Sequence, residues 1–90
     1  MLLDLSRYET FILDFRGSVK DMRFKNVRPG QLYVFVLVQD DTGGHTITWG
    51  ASALNGARMD EEPDAITVQA FIATKDNTLQ SITPATWTEG

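Results

Sequence analysis

Between Gln31 and Gln39 runs an unbroken apolar stretch, Leu32-Tyr-Val-Phe-Val-Leu-Val38. Nearly every residue in it is β-branched or aromatic, the composition of a strand. Successive side chains of a strand point to opposite faces, which sets Leu32, Val34, Val36 and Val38 against Tyr33, Phe35 and Leu37. Both faces are therefore apolar, whereas a strand in a lone small sandwich normally shows one face to water. The second face needs a cover, either another part of the chain or another copy of it.

The run is followed by Asp40-Asp-Thr-Gly-Gly44 and then by His45-Thr-Ile-Thr-Trp49, in which His45, Ile47 and Trp49 alternate with Thr46 and Thr48. An Asp/Gly-rich link between two such limbs predicts a β-hairpin. Upstream, Phe11, Leu13 and Phe15 recur with period two and predict a strand over Tyr8 to Phe15. Gly17 and Ser18 mark a turn, and Val19 to Phe24 suits an edge strand, with Val19, Asp21 and Arg23 on one side and Lys20, Met22 and Phe24 on the other. Pro29-Gly30 has the central pair of a type II turn.

After Trp49 the stretch Gly50 to Pro63 loses alternation and reads as a long loop, whose backbone must find hydrogen bonds without a ladder. Alternation resumes from Asp64 to Thr74, with Ile66, Val68, Ala70 and Ile72 on one face and Thr67, Gln69, Phe71 and Ala73 on the other. Lys75-Asp-Asn77 makes a turn, Thr78 to Ile82 returns as a last strand, and Pro84 stops it, leaving a tail in which Trp87 packs by its indole alone. No heptad, repeat or helix-period stretch is present. The expectation is a single all-β domain over residues 1–90, a small β-sandwich or jelly-roll-like barrel of six to seven short antiparallel strands. Residues 1–7, which mix Leu2, Leu3 and Leu5 with Asp4 and Arg7, suit an N-terminal arm.

A chain of 90 residues buries a modest core, and the absence of cysteine removes disulfide staples and thiolate metal sites. Association of subunits is the remaining inexpensive source of stability. The start has neither the basic region nor the continuous apolar core of a signal peptide or a membrane span, which points to folding in cytoplasm. Twelve acids against eight bases, a net charge of -4, argue against nucleic acid as a partner. Lys20, Arg23, Lys25 and Arg28 cluster, as do Asp60, Glu61, Glu62 and Asp64, and such opposite patches can pair between subunits or simply face solvent.

Reaction chemistry has little to work with. His45 is the one histidine, so no second imidazole shares a metal, and general-base work needs a placed acid partner and a pocket. The serines lack a nucleophile-elbow context, and Gly43-Gly44 lacks the spacing and following helix of a phosphate loop. Asp40-Asp41 and the acids of 60–64 lack EF-hand spacing and read as turn residues bonding their own backbone. No enzyme activity, cofactor or metal is expected. Trp49, Trp87, Tyr8 and Tyr33 offer flat rings for a sugar, so a carbohydrate-binding module is a second reading beside core packing.

The segment Gln39-Asp-Asp-Thr-Gly-Gly-His-Thr-Ile-Thr-Trp49, with the Gly-containing loop, Pro63 and a strand ending in Phe71, resembles a module of bacteriophage virion proteins. In those tail-fibre and other structural components an apolar strand leads into Gln-Asp-x-Thr-Gly-x-x-Thr-x-x-Trp. The resemblance spans Gly30 to Ala73. It implies a β-rich, trimeric virion component, assembled in the host cytoplasm, with Gln39, Asp40, Thr42, Gly43, Thr46 and Trp49 as hairpin and packing determinants and no catalytic residue. The module normally ends a longer fibre chain, whereas here Met1 stands only about thirty residues ahead of it. That spacing suits a homotrimeric capsid decoration, or cement, protein bound to the major capsid protein or other virion proteins. A tail or fibre component, including a tip that binds host glycan, is the alternative. The subunit interface is expected at Tyr33, Phe35 and Leu37 and at the loop around Leu54 and Met59.

Overall fold

The computed structural model describes residues 1–82. They form eight strands: β1 (Leu2–Asp4), β2 (Thr10–Phe15), β3 (Val19–Lys25), β4 (Leu32–Gln39), β5 (Ile47–Trp49), β6 (Ala53–Leu54), β7 (Ile66–Ala73) and β8 (Leu79–Ser81). The all-β reading holds, and six of the strands lie close to those expected, whereas β1 and β6 fall in the segments read as an arm and as a long loop. Contrary to expectation, the pairing is not antiparallel throughout. One sheet has the order β1-β3-β5 and is parallel throughout, and the other has the order β2-β4-β7-β8-β6. Within the larger sheet β2 lies parallel to β4, while β7 is antiparallel to both β4 and β8.

From β1 to β5 the chain thus alternates between the two sheets, and each turn stacks on the one before. This solenoid-like winding replaces the sandwich or jelly-roll barrel expected of consecutive hairpins. It also corrects the predicted Leu32–Trp49 hairpin: β5 leaves β4 and pairs with β3, joining Val19 to Ile47 and Met22 to Trp49. The reason lies in the apolar faces. Hairpin neighbours would carry Phe11, Leu13, Phe24, Phe35 and Trp49 in one sheet with nothing opposite, whereas switching sheets sets β1, β3 and β5 over β2, β4 and β7. A register shift between Val19 and Met22 accompanies the packing of Val19 and Phe24 on this interior, and Met22 is fully buried.

Between the sheets Tyr33, Phe35, Leu37, Phe71 and Leu79 are completely buried, with Leu3, Phe24, Ile47 and Trp49 packed on them. The Phe35 ring lies 5.4 Å from both Phe11 and Phe24, 5.8 Å from Trp49 and 5.9 Å from Phe71. Tyr33, Phe35, Leu37 and Met59 are therefore interior residues, and of the expected interface set only Leu54 is exposed. Residues 1–7 are partly built in: β1 pairs with Arg23–Lys25, and Leu5 is fully buried with its N–H on the Lys25 carbonyl. Gly30 has φ +85° and the Gln31 N–H returns to the Arg28 carbonyl, as the type II turn requires. The expectation for Trp87 lies outside the described residues.

Truncating the shared ring tests this arrangement. Phe35→Ala is expected to cost about 3–5 kcal/mol, close to the whole stability of so small a domain. A urea titration followed by tryptophan fluorescence measures it.

Candidate functional site

Two features distinguish the surface: a set of loops tied down at one end of the strands, and a sheet face that no other described residue covers. The loops contain the segment that carries the resemblance. Gln39 is the last residue of β4 and points inward like Tyr33, Phe35 and Leu37 before it, so its amide is buried where the ladder ends. That amide donates to the carbonyls of His45, at 2.6 Å, and Asp60, at 3.1 Å, and its oxygen accepts from the His45 N–H. One side chain thereby joins the loop after β4 to the loop before β7.

Asp40 caps the same turn, accepting the N–H groups of Thr42 and Gly43 at 3.0 Å. Both of its oxygens lie 3.0 Å from His45 Nε2. The Gly43 N–H, together with His45, holds the Asp40 carboxyl below the ordinary carboxylate range. Gly43 and Gly44 have φ of +71° and +78°, and Gly44 donates to the Glu61 carbonyl. A Cβ on Gly43 would lie 2.8 Å from that same oxygen, so the position excludes side chains on two counts. Thr46 binds the turn between β2 and β3 through Ser18, and the Thr42 side chain is exposed.

The second half of the long loop is held by Gln69 and Trp49. Gln69 Oε1 accepts the Ala57 N–H at 2.8 Å, and the Trp49 indole donates to the Ala57 carbonyl. Trp49 packs at 5.0 Å on Phe71 and stacks with Phe24, and a Cβ on Gly56 would overlap its ring. This indole is partly buried, and Tyr33 is fully buried with its hydroxyl accepting the Arg28 N–H. Of the described rings proposed for sugars, Tyr8 alone is open, at 64% exposure. Gln69 had no role in the sequence reading, although it shares a face with Phe71 and Ala73.

The acids behave as loop formers. Asp60 accepts the Glu62 N–H, and among the described residues no group of three or more His, Asp or Glu could hold a metal ion. Of the basic cluster, Arg23 pairs with Asp21 and Arg28 with Glu9, both on the surface.

The uncovered face belongs to the larger sheet. Register places Ile12 beside Val36 and Val36 beside Val68, with Thr10, Val34 and Ala70 in the next row and Leu32 beside Ile72 in the one after. Asp14, Val38 and Ile66 form the row at the other end. Ile12, Ile66 and Val68 are 69%, 63% and 62% exposed, and Ile72 and Leu32 are also open. Aromatic rings thus take the inner face of β4 and β7, while the aliphatic residues form a continuous apolar layer outside. A patch of several hundred Å² is the size that marks an interaction site on a soluble protein.

The sequence over residues 9–78, 70 of the 90, matches a family described as "Putative phage tail fibre C-terminal domain". The chain belongs to this family. It is accordingly a phage structural protein and a virion component, and the match favours the tail or fibre reading over capsid decoration. No curated protein and no solved structure matches the chain.

Two substitutions test the loop ties. Gly43→Ala should destabilise the fold by about 2 kcal/mol or more, from the left-handed backbone and the blocked approach to Glu61, measured by thermal unfolding. Asp40→Asn should be less stable than the native chain at neutral pH. A carboxyl with a depressed folded pKa stabilises above its unfolded pKa and loses that contribution as pH falls through the folded one. The gap between the two proteins should therefore narrow on titration from pH 7 to pH 3.

Proposed function

We infer that this protein is a non-enzymatic structural part of the phage tail fibre and works as a homotrimer. The observation that carries the reading is the family match over most of the chain, and the build of the molecule supports it. Its polar side chains are spent on tying loops: Gln39, Asp40, His45, Gln69 and Trp49 all bind backbone or one another. Among the described residues every buried side-chain nitrogen and oxygen has a partner. What the surface offers is an apolar sheet face, and association of copies is the use that physics gives it. Partners are then other copies of the chain and neighbouring virion proteins, with no cofactor.

Antibody raised against the purified chain should label tail fibres in electron micrographs of intact phage. Label confined to the head would refute the fibre reading and restore the decoration one.

A further inference from the structure

We propose that the outer face of β2, β4 and β7 is the surface on which a second copy of this chain packs, with Val68 and Ile12 at its centre. The proposal deepens the fibre reading and rests on it for the identity of the partner. Three observations carry it.

The first is the way the strands divide their residues. β7 turns Gln69 and Phe71 inward and leaves Ile66, Val68, Ala70 and Ile72 outside, so its more uniformly aliphatic face is the one that the other described residues leave open. β4 does the same with its valines. A sequence selected only for a monomer would place Thr, Lys or Glu at these outward positions.

The second is area. The exposure of Ile12, Ile66, Val68 and Ile72, with the half-buried Val34 and Val36 between them, amounts to something on the order of 500 Å² of apolar surface, a large part of the ~800 Å² that each partner contributes to a standard interface.

The third is charge. Across the rows from Ile12 to Val68 and from Leu32 to Ile72 there is no ionisable side chain, and Asp14 stands in the row at one end. Three such faces gathered about one axis meet without opposing like charges, although the chain as a whole carries -4. A strongly charged partner would find nothing here to pair with.

Light scattering at micromolar concentration tests the face. The native chain should give the mass of three copies, and Val68→Asp should reduce it threefold while retaining the far-ultraviolet circular dichroism and tryptophan fluorescence of the fold. Thr48→Asp, on the outer side of the small sheet, should leave the mass unchanged. Should Val68→Asp fail to fold, Val68→Cys supplies a second readout: the native sequence has no cysteine, so a disulfide-linked pair on mild oxidation reports two Val68 positions in contact. A Val68→Asp protein that stays trimeric, or a Val68→Cys trimer that does not cross-link, overturns the assignment of the face and leaves the fibre reading standing. A native chain that is monomeric overturns the proposal outright. Antibody labelling of the head would instead remove the fibre reading itself.

Discussion

The contact on which the rest of this molecule depends is the Phe35 ring among Phe11, Phe24, Trp49 and Phe71. Those four rings come from β2, β3, β5 and β7, so a single side chain of β4 touches both of its sheet neighbours and two strands of the opposite layer. Aromatic pairs at such separations add to the gain from burial alone, and five rings concentrate that gain in a chain too small for a large core. The two sheets are joined there, and the alternation of the chain between them brings β3 and β5 to the same ring from successive turns.

That junction explains how far the sequence could be read. Period-two patterns located the main strands, because exposure and burial alternate along each of them. Pairing was not legible in the same way. An Asp/Gly-rich link serves a hairpin or a change of sheet equally well locally, and the choice is made by which apolar faces need covering. The double apolar character of Leu32 to Val38 was legible, but the interface was expected on the face of Tyr33, Phe35 and Leu37, which lies inside the molecule. Rings fill the wide space between sheets, while β-branched aliphatics pack well across neighbouring strands, so Tyr33 and Phe35 went inside and Val34 and Val36 outside.

The loop ties were partly legible. Gln39, Asp40, Gly43 and Trp49 stood out through the resemblance to the phage module, yet their work is not that of a hairpin. They hold the loop after β4 against the loop before β7, replacing the ladder those backbones lack. Gln69 gave only one signal, its place on the same face as Phe71, and a lone glutamine in an alternating strand ordinarily reads as a solvent residue. Burying two glutamine amides is tolerable because each forms several hydrogen bonds. The outcome is a firmly tied end of the molecule beside an apolar face left open, which suits a part of a larger assembly.

The most direct test of that account is an isotope-filtered nuclear Overhauser experiment on a mixture of methyl-labelled and unlabelled copies. The account predicts intermolecular contacts from the methyl groups of Ile12, Val36 and Val68 and none from Leu37, which lies inside each copy. Intermolecular contacts confined to the small sheet, or none at all, would contradict it.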